Sequence, residues 1–136
     1  MISWFEKNNK LSWTITLFIA IAIFYVSSLT FAQSTGGPPG IGYRALIYHI
    51  TAFFFFTFFL AISLVKGKNR NLIFFAVIIS VLYAVLDEIH QSFVPGRGSS
   101  ISDIFIDSIG IIFASIFYIT LIEYRKNFKK HFHPSL

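Results

Sequence analysis

The sequence predicts an all-α, polytopic integral membrane protein built as a four-helix transmembrane bundle, and three observations predict it. The 136-residue chain is 55% hydrophobic and 12% charged and contains 18 Phe, whereas a soluble domain carries about 25% charged residues. Four apolar runs approach the roughly 20 residues that a helix needs to cross a bilayer. None of them alternates apolar with polar residues as a barrel strand does, and the bilayer admits only helices or closed barrels. A chain of this length forms one domain, residues 1–136.

The first span covers approximately 11–31, inside a stretch from Leu11 to Tyr43 that holds no charge. With Lys7 and Lys10 before it and Thr30, Phe31 and Ala32 as a weak cleavage site, it has the outline of a signal peptide. Its apolar stretch exceeds the usual 7–15 residues, so it is read as a retained helix. The turn-rich segment Gly36–Gly40 follows as a flexible hairpin. The second span, 45–65, is interrupted only by His49. The third, 72–93, ends in an acidic cluster, and the fourth, 101–123, carries Asp107 one turn in. A basic tail, 124–136, closes the chain.

Lys and Arg set the orientation. Lys7, Lys10, Lys66, Lys68, Arg70, Arg125, Lys126, Lys129 and Lys130 share one side, against Arg44 and Arg97 on the other. The positive-inside rule then puts both termini in the cytoplasm and the acidic cluster at the outer face. The formal charge of +5 therefore reads as membrane flanks and not as a nucleic-acid surface. With no cysteine, the chain offers no disulfide, thiolate metal site or thiol nucleophile.

Four of the six acidic residues, Asp87, Glu88, Asp103 and Asp107, lie between positions 87 and 107. Beside lipid an ionisable group is costly, so such a cluster is paired, buried against protein, or functional. Helical spacing places Tyr83, Asp87, His90 and Gln91 on one face, with Glu88 rotated by about 100° toward another neighbour. Pro95 and Gly96 end that helix. Ser100 and Asp103 then fit a capping box for the next one. Asp103, Asp107, Gly110 and Ala114 continue as one stripe, whose small residues allow close helix approach. The third span is its expected neighbour, so that Asp87, His90, Asp103 and Asp107 converge.

Several readings of this cluster stand open. It is an ion-pair network neutralised by Arg97 and Arg44, or an acid–base site in which a carboxylate orients His90 and Arg97 binds an anionic group. It is otherwise an oxygen-rich divalent-cation site with one histidine, for which no established motif is present, or a head-group recognition site without chemistry. His49 lies at the same depth and is either bonded to a backbone carbonyl or part of the site. Arg44 is either an interfacial snorkelling residue or a counter-ion. The Phe53–Phe59 run reads as lipid-facing or packing surface, and Trp4 and Trp13 as interfacial anchors. His131 and His133 belong to solution or to anionic head groups.

Taken together, Asp87-Glu88-x-His90-Gln91, then Pro95-Gly96-Arg97, then Asp103 and Gly110 resemble the VanZ-like family of small bacterial membrane proteins. That family's motif runs D-E-x-H-Q, P-G-R, D-x-x-x-N and a Gly. The resemblance implies a multi-helix membrane protein of the cell envelope, and the name-giving member is associated with low-level teicoplanin resistance. It supplies no settled reaction or cofactor. It points to Asp87, Glu88, His90, Gln91, Arg97 and Asp103 as candidate catalytic residues. His49, Arg44, Asp107 and Tyr83 are candidate substrate-binding residues. Asp107 stands where the family has Asn, and Leu46 where it often has Lys, with Arg44 as the candidate substitute. The expected partners are membrane lipids or a lipid-linked envelope precursor in the bacterial inner membrane. The alternative is a non-enzymatic binding or scaffold protein whose polar cluster is structural.

Overall fold

The computed structural model describes residues 2–29 and 43–132, with side chains for 2–29 and 45–128. Among them every regular element is a helix: α1 (Ile2–Lys7), α2 (Asn9–Ser27), α3 (Tyr43–Val65), α4 (Leu72–Ser92) and α5 (Ile101–Phe132). Four helices are long and apolar enough to span a membrane, over Asn9–Ser27, Ala45–Val65, Leu72–Ser92 and Ile101–Phe128. Their outer surfaces carry Leu17, Phe18, Phe74, Leu82, Phe105 and Ile112, each more than half exposed. In water such a surface would aggregate, and in lipid it is the solvated face.

α3 sits at the centre and packs against all four other helices. Phe53, Phe56, Leu60, Ala61, Ile62 and Val65 are buried along it, while Phe55 points outward. The Phe run is therefore split between core and lipid face. Trp4 and Trp13 are exposed, as interfacial anchors require. Because lipid supplies no water to polar groups, buried hydroxyls bond within the bundle. Thr57 Oγ1 donates to Ser80 Oγ at 2.9 Å across α3 and α4. Ser12 Oγ donates to the Phe5 carbonyl at 2.8 Å and ties α1 to α2.

Three boundaries depart from expectation. The N-terminal flank forms its own helix, α1, whose last turn closes as the Asn8 N–H donates to the Trp4 carbonyl at 2.9 Å. The first span is described as far as Leu29, with its helix ending at Ser27, and the Gly36–Gly40 loop lies outside the described residues. The last helix does not stop near 123 but runs through the predicted basic tail to Phe132. No proline or glycine occurs between residues 123 and 132 to break it, and Arg125 is anchored by a carboxylate. His133 lies outside the described residues, as does the side chain of His131.

The stripe on α5 also faces an unexpected partner. A Cβ at Gly110 would stand 2.3 Å from the Ile50 carbonyl oxygen and 3.1 Å from the Phe54 nitrogen. The close approach is thus with α3, the second span, although α4 also contacts α5. Only glycine lets two helix backbones meet this tightly.

The turn between α4 and α5 follows its sequence. The Arg97 N–H donates to the Val94 carbonyl at 3.1 Å. Gly96 at φ 82° takes the left-handed position that a Pro-Gly turn of type II needs. Ser100 Oγ then accepts the Ser102 N–H at 3.1 Å and starts α5.

A buried polar site where four helices meet

The site is assembled at the end of the bundle where α2 and α4 finish and α5 begins. Asp87 and Gln91 share one face of α4, and both are buried. Gln91 Nε2 donates to Asp87 Oδ2 at 2.8 Å, and Ser27 Oγ on α2 donates to the same oxygen at 2.9 Å. Gln91 Oε1 accepts from Arg97 Nη2 at 2.9 Å. The Gln91 amide therefore has a fixed orientation and relays the Arg97 charge toward Asp87. The other Arg97 nitrogen, Nη1, donates to the Val26 and Leu29 carbonyls at 3.2 and 3.3 Å. A cation at these carbonyls complements the negative end of the α2 dipole.

Asp87 Oδ1 is buried and has no hydrogen-bond partner among the described residues. Such an orphan is uncommon, because an unsatisfied buried acceptor on a charged group costs upwards of about 1–3 kcal/mol.

Beside Asp87 lies the second unit, where His49 Nδ1 meets Asp107 Oδ1 at 2.9 Å, both side chains buried. A carboxylate can only accept, so Nδ1 carries the proton and Nε2 is left to accept or donate. His49 also lies within electrostatic reach of Asp103 and Asp87. Asp103 is half-buried in the first turn of α5. Tyr48, which the sequence reading passed over, lies within reach of Asp87, Arg97 and Asp107.

His90 takes a different place from the one expected. Its Nε2 lies 2.9 Å from Ser28 Oγ, and its ring stacks on Phe24 with centroids 4.3 Å apart. The single Ser28 hydroxyl proton goes to the Phe24 carbonyl at 2.8 Å, so the histidine is the donor in this contact. The carboxylate-oriented histidine is therefore His49 and not His90. Convergence of Asp87, His90, Asp103 and Asp107 on one point is corrected accordingly, with Asp87 and Asp107 inside and His90 against α2.

Glu88 does address another neighbour, as its rotation implied. Its Oε1 accepts the backbone N–H of Ser100. In a capping box that contact belongs to the residue three positions after the cap, here Asp103. α4 supplies the carboxylate instead. Tyr83 donates its hydroxyl to the Ala20 carbonyl at 2.6 Å, joining α4 to α2. The Arg44 side chain lies outside the described residues.

Among the described residues no three His, Asp or Glu side chains come together in a way that could hold a metal ion. Ser27, Ser28 and Tyr48 are the participants that sequence reasoning missed. The paired serines at the end of an otherwise apolar run were the available signal.

Fold and site together define a polytopic α-helical membrane protein with a buried carboxylate–histidine site at one end. The VanZ/LLP1 family model matches residues 3–122 of the chain. The chain belongs to that family. No curated protein and no solved structure matches it.

Proposed function

We propose that this protein works in the bacterial inner membrane with both termini in the cytoplasm. In this reading its polar site acts at the outer face on the head group of a lipid-linked or cell-wall precursor, lowering access of a glycopeptide such as teicoplanin. The observation that carries this reading is the buried His49–Asp107 pair beside Asp87, one of whose oxygens has no described partner. Asp107 holds the imidazole so that Nε2 is the proton-transferring atom, the arrangement general acid–base catalysis uses. Asp87 Oδ1 is positioned to receive a donor group of the ligand. Gln91, Arg97, Glu88 and Ser27 hold these groups in place.

The test is conservative substitution in a host whose teicoplanin susceptibility the wild-type protein changes. His49→Gln and Asp87→Asn should each abolish that change while protein level and melting temperature stay near wild type. Normal folding with undiminished phenotype in both variants ends the catalytic reading. A reporter fused after Leu136 tests the orientation, and an external signal would overturn it.

A second reading is favoured by the bonds of Ser27, Tyr83 and Arg97, which lock α2 to α4 and to the turn that follows it. In it the cluster fixes helix packing in a binding or scaffold protein. The phenotype of each variant would then fall only in step with its stability.

A further inference from the structure

At the opposite end of the bundle from the acidic site lies an open groove of about 1010 Å³, walled by α1, the α3–α4 turn and the last turns of α5. Among the described residues five cations line it: Lys7, Lys66, Lys68, Arg125 and Lys126. The one acidic side chain among these lining residues is Glu6, which is already engaged. Arg125 Nη1 and Nη2 donate to the two Glu6 oxygens at 2.8 and 2.6 Å, and the Tyr118 hydroxyl donates to Oε1 at 2.9 Å. The tight seat of Glu6 depends on Gly67, where a Cβ would stand 2.7 Å from Glu6 Oε2. Arg125 is thus engaged by Glu6 through Nη1 and Nη2, its buried Nε finding no partner among the described residues, and Lys7, Lys66 and Lys68 line the opening with no carboxylate paired to them there. Lys126 also approaches Glu123, at 4.0 Å.

Depth and lining both point to lipid. Trp4, 54% exposed on α1, marks the interfacial level at which aromatic anchors sit. Tyr124 and Phe128, both lining the groove, are exposed at the end of the last span. The groove thus joins a cationic wall to an apolar, bilayer-facing edge.

We propose that this groove binds an anionic phospholipid of the adjacent leaflet, with the lysines holding the phosphate and Tyr124 and Phe128 receiving the upper acyl chain. Polybasic surfaces attract such lipids by about 1 kcal/mol per cation. The assignment is independent of the reaction proposed for the acidic site.

The test uses the full-length protein in detergent micelles, titrated with phosphatidylglycerol, with phosphatidylcholine of the same chains, and with inorganic phosphate, and read by native mass spectrometry. Lys68→Gln with Lys126→Gln removes two exposed groove cations. Lys10→Gln with Arg70→Gln removes two cations from the same end outside the groove. Phosphatidylglycerol should bind the wild type and the Lys10/Arg70 variant comparably, and the Lys68/Lys126 variant roughly thirtyfold more weakly. Equal losses in both variants would show diffuse surface charge and overturn the site, as would equal binding of phosphatidylcholine. Displacement of the lipid by equimolar inorganic phosphate would overturn its assignment to lipid.

Discussion

Substituting Gly110 by alanine is the sharpest probe of how this bundle holds its site. The added Cβ would stand 2.3 Å from the Ile50 oxygen, where ordinary contact begins at 3.4 Å, so α3 and α5 must part by about 1 Å. The obstructing atoms belong to helix backbone and cannot rotate away. Overpacking of this kind costs about 1–3 kcal/mol, and alanine's advantage over glycine inside a helix returns about 0.5–1 kcal/mol. A net loss of about 1 kcal/mol, within about 0–2.5, is expected. Asp107 is one turn before Gly110 and His49 is the residue before Ile50. If the full displacement reached their 2.9 Å bond, it would open to about 4 Å, beyond hydrogen-bond range. The assay is thermal unfolding in detergent together with the nitrogen NMR signature of His49, which reports the proton on Nδ1. Gly98→Ala, where a Cβ meets nothing within 4 Å, is the control and should leave both unchanged. A Gly110→Ala protein with raised melting temperature and an unaltered His49 signature would refute the close-packed α3–α5 contact and the coupling drawn from it.

Two further predictions follow from side chains that hold other elements. Glu88→Ala removes the acceptor of the Ser100 N–H, so it should cost about 1 kcal/mol and speed amide exchange at Ser100–Asp103 while leaving mid-helix α4 protected. Burial pushes the Glu6 carboxyl up, but the Arg125 and Tyr118 bonds outweigh it and hold the group below its ordinary 4.5. A carboxyl lowered in the fold stabilises fully above its unfolded value, and that contribution is lost as pH falls through the folded value. Melting temperature should therefore drop on acidification below 4.5, and less steeply in Glu6→Gln, as followed by circular dichroism.

The spans and the local geometry of the cluster were legible because hydropathy and the 3.6-residue repeat act within one segment. Asp87 and Gln91 do share a face, Glu88 does turn away, and Ser100 does cap α5. What could not be read was rotation between helices. In a water-soluble bundle the polar stripe says which side faces out, but here lipid-facing and core-facing sides are both apolar, so the pattern leaves that angle undetermined. Hence His49 rather than His90 received the carboxylate, and α3 rather than α4 received the Gly110 stripe. The Glu6–Arg125 pair was invisible for a related reason. Each residue alone looks like an ordinary flanking charge, and only the fold brings them together.

That pair joins residues 119 positions apart, and it gives the order of assembly a direction. Glu6 emerges from the ribosome long before Arg125 exists, so the first helix must wait at the membrane surface without its counter-charge. The pair can form only when the last span has been delivered. The Glu6–Arg125 clasp thus ties the first helix to the last, so this contact is made only by a chain that carries both.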